Sequence, residues 1–206
     1  MVAFPLAVVS GLVLVALAPT GAGRAAGAIY AVTSSMLFGV SAVYHRGHWS
    51  RHAHQVLKRL DHANIYLMIA GSYTPVAVLA LHGAARVTVL AVVWAGALAG
   101  VLFRLVWVNA PRWLYTPLYV VLGWIAAFFV PQLLHGAGVA PFALIVTGGG
   151  LYTIGGLVYG LRWPDPSPRW FGFHEIFHSF TIAAYTVQYI AVSLITYEAI
   201  RVALTG

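Results

Sequence analysis

Ala25-Ala-Gly-Ala-Ile-Tyr-Ala-Val-Thr-Ser-Ser-Met-Leu-Phe-Gly-Val-Ser-Ala-Val-Tyr44 runs for 20 residues without Asp, Glu, Lys or Arg, and His45 follows it. A helix needs roughly 20 apolar residues to cross the hydrocarbon core of a bilayer, with about 17 as the lower limit. Working outward, six more uncharged stretches appear: Val2–Ala18, Ala63–Leu81, Val87–Phe103, Trp113–Leu134, Gly136–Leu161 and Ile176–Tyr197, of 17, 19, 17, 22, 26 and 22 residues. Seven transmembrane helices therefore occupy nearly all of the 206 residues. Composition agrees: 61% of residues are hydrophobic, 7% are charged and the mean hydropathy is +0.87. A soluble globular chain carries about 25% charged residues. The reading is an all-α polytopic membrane protein, a single seven-helix transmembrane domain over residues 1–206. Val2–Ala18 lacks a basic leader region and a clean cleavage site before Thr20, so it reads as a retained helix.

Lys and Arg orient the bundle. Connections on the N-terminal side carry Arg46, Arg51, Lys58, Arg59, Arg104, Arg112, Arg162 and Arg169, against Arg24, Arg86 and Arg201 on the other. The positive-inside rule then predicts a cytoplasmic N-terminus and an outside C-terminus. The net charge of +7 is mostly this collar, suited to anionic lipid headgroups and not to nucleic acid. The chain has no cysteine, so a metal here can have no thiolate ligand.

The connections are short. The run Arg46–Leu60 is basic and His-rich and reads as a loop along the interface. Arg162–Gly172, with its Trp-Pro-Asp-Pro-Ser-Pro segment, reads as a stiff, extended lead-in to the last helix. Gly96 and Gly100, with the glycines of the sixth stretch, predict close helix contacts. Pro75, Pro117 and Pro131 predict local bends.

This topology brings four separated residues to one end of the bundle. His45 closes the second helix, Asp61 opens the third, and His174 and His178 fall in the first turns of the seventh. Residues i and i+4 share a helical face about 6 Å apart along the axis, so the two imidazoles can grip one ion and His45 can add a third ligand. Imidazole suits Zn2+, and three protein ligands leave one tetrahedral position open, the pattern of catalytic zinc. Zinc lowers the pKa of a bound water to about 7. Asp61 then reads as general base or water-positioning group. Ser41, one turn before His45 on the same face, reads as a hydrogen-bonding partner of that water or of a ligand.

Blander readings compete at each position. A single interfacial His is ordinarily amphipathic surface, and Asp61 follows Lys58 and Arg59, so it could simply start a helix whose dipole favours a carboxylate. Convergence favours the metal. His48, His52 and His54 read as exposed loop residues, while His82 and His135 lie at the opposite interface. His62 points about 100° away from Asp61, toward another neighbour. Glu175 fits the N-terminal dipole of the last helix, and Glu198 with Arg201 reads as solvated.

The segments Ser41-Ala-Val-Tyr-His45, Leu60-Asp61-His62 followed by Ile69-Ala-Gly-Ser-Tyr-Thr-Pro75, and His174-Glu-Ile-Phe-His178 resemble the three signatures of the hemolysin III proteins. Those are the bacterial branch of the progestin and adipoQ receptor family, related to a wider superfamily that includes the alkaline ceramidases. The likeness covers essentially the whole chain. It implies zinc on His45, His174 and His178, with Asp61 reaching it through a water and Ser41 nearby. It implies N-in, C-out topology, residence in the bacterial inner (plasma) membrane and hydrolysis of a lipid amide such as ceramide. The long cytoplasmic N-terminal region of the animal receptors has no counterpart here. Three functions follow as expectations: a zinc-dependent lipid hydrolase, a non-enzymatic sensor or receptor with structural zinc, and a cytolytic pore. Membrane lipids and a lipid amide or fatty-acid ligand are the expected partners. The oligomeric state is not legible.

Overall fold

The computed structural model describes residues 2–107 and 110–205. Eight α-helices follow one another: α1 Ala3–Leu17, α2 Gly21–Arg46, α3 Arg51–Ala80, α4 Gly83–Val106, α5 Arg112–Gly123, α6 Val130–Ala137, α7 Val139–Leu161 and α8 Phe173–Thr205. A short 3-10 segment, Ile125–Phe129, joins α5 to α6, and the three pieces make one crossing. Seven helical passes result, and no strand occurs among the described residues. Six passes are long and apolar enough to span a membrane; α1, with 15 residues, is shorter.

The passes close into a ring. α1 packs on α2, α2 on α3, α3 on α4, α4 on α5, α5 on α7, α7 on α8, and α8 back on α1. α3 also meets α5, α6 and α8, so it serves as the central post. Without a hydrophobic drive between helices in lipid, contact depends on small residues that let the partners interlock. Gly100 on α4 faces the ring of Tyr66 on α3, and Gly71 on α3 faces Thr33 on α2. Gly136 lies against the Ala80 carbonyl, where any Cβ would collide with backbone.

Three expectations need correction. The run Arg46–Leu60 is only briefly a loop, because α3 starts at Arg51, capped by Ser50, whose hydroxyl accepts from the Ala53 amide at 3.3 Å. Lys, Arg, Gln and Leu are good helix formers and no Gly or Pro interrupts them. Asp61 therefore sits well inside a helix, and the helix-dipole explanation of it falls away.

Arg162–Gly172 is folded back, not extended. Trp170 and Phe171 amides donate to the Ser167 carbonyl at 3.0 and 2.8 Å, and Asp165 accepts from the Phe173 amide at 3.0 Å. With Glu175 accepting from the Gly172 amide at 2.9 Å, two carboxylates cap the start of α8. Arg104 and Arg112, counted above as connection residues, lie in α4 and α5. Arg104 is buried with its guanidinium 4.4 Å over the Tyr115 ring, and Arg112 stands 4.6 Å over Tyr159.

Pro117 and Pro131 flank a genuine break in the fifth pass. A broken helix at membrane depth strands backbone polar groups unless another group satisfies them. Tyr73 of α3 does so: its hydroxyl donates to the Gly123 carbonyl at 2.6 Å and accepts from the Ala126 amide at 2.8 Å. Pro75, by contrast, is carried within an uninterrupted α3.

Candidate metal centre and its cavity

His45 stands in the last turn of α2, and His174 and His178 in the first turns of α8. The Nε2 atoms of His45 and His174 are 3.4 Å apart, those of His174 and His178 are 3.1 Å apart, and one ligand atom from each ring lies within 4.8 Å of the others. The ring of His45 is 4.9 Å from that of His174 and 5.4 Å from that of His178.

Hydrogen bonding alone satisfies this arrangement poorly. The Nε2 of a neutral imidazole carries either one hydrogen or one lone pair, yet two ring nitrogens approach that single atom of His174. A shared cation resolves the conflict, because all three nitrogens can then direct lone pairs inward. Zinc–nitrogen bonds of about 2.0–2.1 Å at tetrahedral angles put neighbouring donors about 3.3–3.4 Å apart, close to the spacing found. The donor set thus fits a metal ion, and its all-imidazole chemistry suits zinc.

Asp61 of α3 and Ser41 of α2 stand beside this cluster, lining the same cavity as the histidines. Ser41, His45, Asp61, His174 and His178 line one cavity of about 430 Å³, which runs down between the helices to Ser72, Trp124 and Gln188. All five residues singled out from sequence therefore share one wall. Asp61 has 14% of its side chain exposed, and His45 is the open edge of the site.

His62 lines the same cavity, with its Nδ1 3.9 Å from Asp61 Oδ2, but its hydrogen bonds go to other neighbours. Its Nδ1 is 2.7 Å from the Lys58 carbonyl, which can only accept, so Nδ1 carries the hydrogen. Its Nε2 then accepts from the Tyr159 hydroxyl at 3.0 Å, and Tyr115 donates to Tyr159 at 3.4 Å. Tyr159 also lies beside His174, with ring centroids 6.1 Å apart. This aromatic wall was missed in the sequence because α5 and α7 carry it, far from the motifs. Glu198 pairs with Arg201 at 2.6 Å in an exposed position.

The end of the bundle that holds the histidines is marked twice more. Trp49, Trp107, Trp113, Trp163 and Trp170 are exposed there, at helix ends and in connections. Exposed Trp gathers at membrane–water interfaces. The eight basic residues counted above belong to the same end.

Comparison with known proteins places the chain in a family. The family described as haemolysin-III related matches residues 1–189. The chain is 34% identical over 137 residues to "Hemolysin-3 homolog" of Bacillus subtilis (strain 168), covering 66% of this chain and 62% of that protein. It is 29% identical over 164 residues to "Hemolysin-3" of Bacillus cereus, covering 80% of this chain and 72% of that one. The match thus spans less than two thirds of the Bacillus subtilis relative. Seven helical passes, the three imidazoles and the extent of the family match lead to one assignment: the chain is an integral membrane protein belonging to the haemolysin-III-related family.

Proposed function

We propose that this protein is a zinc-dependent hydrolase that acts within the membrane on a lipid amide or ester. The observation behind this reading is the convergence of three imidazole nitrogens beside Asp61 and Ser41, at one end of a cavity reaching mid-membrane depth. His45, His174 and His178 hold the ion. When bound, zinc supplies Lewis acidity, polarising an acyl carbonyl and acidifying water. Asp61, the one carboxylate on the cavity wall, orients the attacking water, takes its proton and returns it to the departing nitrogen or oxygen as the acyl C–N or C–O bond breaks. The other three acidic residues are engaged elsewhere, Asp165 and Glu175 at the start of α8 and Glu198 with Arg201. Ser41, on the lining of the same cavity, supplies the hydroxyl that orients the Asp61 carboxyl and its water. The apolar walls at Leu37, Phe38, Ile65 and Met68 receive the acyl chain and keep bulk water out. The N-terminus and the metal end face the cytoplasm, in the bacterial inner membrane, as the basic collar favours.

A structural role for the same ion is the second reading. It is favoured by the span of the site, since His45 and His174 lie 129 residues apart and an ion would cross-link α2 to α8. Metal analysis of the purified protein, followed by fatty-acid release from ceramides and other acyl lipids, separates the two. The hydrolase reading expects stoichiometric zinc and release that disappears in Asp61→Ala. Zinc without release from any lipid supports the structural role. The names of the Bacillus relatives also raise cytolysis; liposome leakage above that of an unrelated seven-helix protein would support it.

A further inference from the structure

At mid-membrane depth the metal-end cavity adjoins a second, smaller void of about 90 Å³. Ser72, Tyr73, Gly123, Trp124, Gly149 and Gln188 line both. Gln188 is the only Asn or Gln in the uncharged stretch Ile176–Tyr197 and stands near the middle of α8. A Cβ on Gly148 of α7 would come within 2.9 Å of the Gln188 Cγ, so the amide's stem occupies room that only glycine leaves.

The Gln188 amide takes no hydrogen bond from protein among the described residues, although it borders open space on two sides. Tyr152, one turn further along α7, lines the metal-end cavity, and its hydroxyl is buried without a protein partner. Polar groups at this depth are costly unless something bonds them. Two of them lining one cavity, on the neighbouring helices α8 and α7, imply a polar group on whatever fills it.

Depth says where that group lies. Gln188 is ten residues beyond His178, about 15 Å along the helix axis. An extended hydrocarbon chain with bonds of about 1.5 Å at tetrahedral angles advances about 1.25 Å per carbon. The amide is therefore level with about the twelfth carbon of a chain whose head is at the imidazoles. Tyr152 is seven residues from Tyr159, about 10 Å below the metal end and level with about the eighth carbon.

We propose that Gln188 and Tyr152 form a polar subsite that selects acyl chains bearing a hydroxyl or oxo group at mid-chain. This rests on the reading that an acyl lipid occupies the cavity. The amide can both donate to and accept from a hydroxyl, and the tyrosine offers the same about four carbons nearer the metal end. A plain saturated chain would exclude water from both groups and bond neither. A site built to bond a hydroxyl discriminates against the analogue that lacks it.

The test is ligand binding to the purified full chain in detergent micelles, followed as the rise in unfolding temperature with ligand concentration. The probes are stearate and two stearates each carrying one hydroxyl, on about the eighth or on about the twelfth carbon. Each hydroxylated chain is expected to bind about threefold to tenfold tighter than stearate, the value of one or two net hydrogen bonds. Gln188→Leu should move that ratio toward one for the twelfth-carbon probe, and Tyr152→Phe for the eighth-carbon probe. Equal binding of plain and hydroxylated chains, binding of none, or unchanged ratios in both variants would overturn the subsite. No turnover enters the measurement, so a protein that binds the hydroxylated chains but releases no fatty acid loses the hydrolase reading and keeps this one. Release of fatty acid with no chain preference does the reverse.

Discussion

Removing zinc should destabilise the wild-type protein and leave His174→Ala nearly indifferent. His174 is the middle nitrogen of the cluster, 3.4 Å from His45 and 3.1 Å from His178, so its loss leaves two imidazoles with no third donor between them. In an unfolded chain the i,i+4 pair can still meet on a residual helical turn, but His45 is 129 residues from His174 and rarely joins it. Zinc on the proposed site would therefore bind the folded state selectively. Free zinc at about 100 times its dissociation constant then stabilises by about 2.7 kcal/mol, and at about 1,000 times by about 4.1 kcal/mol. For a chain of this size each kcal/mol moves the unfolding midpoint by roughly 2–4 °C, so chelation should lower it by about 5–16 °C. The assay is thermal unfolding in detergent at neutral pH, with and without a strong chelator and with zinc added back. Protons compete for imidazole nitrogen, whose ordinary pKa is about 6.5, so the zinc effect should be full above neutrality and vanish as pH falls toward about 5. An equal chelator effect in wild type and His174→Ala, or none in wild type, would refute the shared-ion geometry.

Other outcomes follow from single contacts. Asp61→Asn should keep zinc, which the imidazoles hold, and lose at least about 100-fold in fatty-acid release, because an amide cannot take the proton; metal content and release measured together check this. Tyr73→Phe removes the hydroxyl that serves both Gly123 and Ala126 and should cost about 1–3 kcal/mol, read as a lower unfolding midpoint. Gly100→Ala drives a methyl into the Tyr66 ring and should cost about 1–3 kcal/mol, whereas Gly150→Ala meets nothing within 4 Å and should be neutral or slightly stabilising. The pair run in one melting experiment separates packing from helix propensity.

The gaps between charges located every pass, because an uncharged run long enough to cross hydrocarbon has few other uses. They did not locate helix ends. Lys58 and Arg59 end an apolar window but not a helix, so α3 begins ten residues before Asp61 and the basic run winds on as its first turns. The histidine cluster was legible for a related reason: spacing fixes His174 against His178, and alternation of the passes puts His45 at the same end. Features owed to contacts between distant segments were not legible. The break after Gly123 depends on a hydroxyl from α3, fifty residues earlier. Asp165 seeks the start of α8, so a Pro-rich stretch that local rules read as extended folds back. Gln188 is one polar residue in an apolar run, and only the room that Gly148 of α7 leaves for it sets it apart.

The two ends of the cavity ask for different things from one occupant. Around the imidazoles lie Lys58, Arg112 and Asp61, with exposed Trp and the basic collar at the same end of the bundle, so water and charge are within reach there. Ile65, Met68 and Ile69 of α3 then line the way down to the amide of Gln188. A wholly polar substrate would leave those apolar walls bare, and a plain hydrocarbon would have no group for the metal end to act on. A lipid with a carbonyl head and a long chain satisfies both, and it can reach such a site from the bilayer without crossing water. The same gradient argues against a conducting pore, because apolar walls between two polar ends offer an ion nothing to replace its hydration.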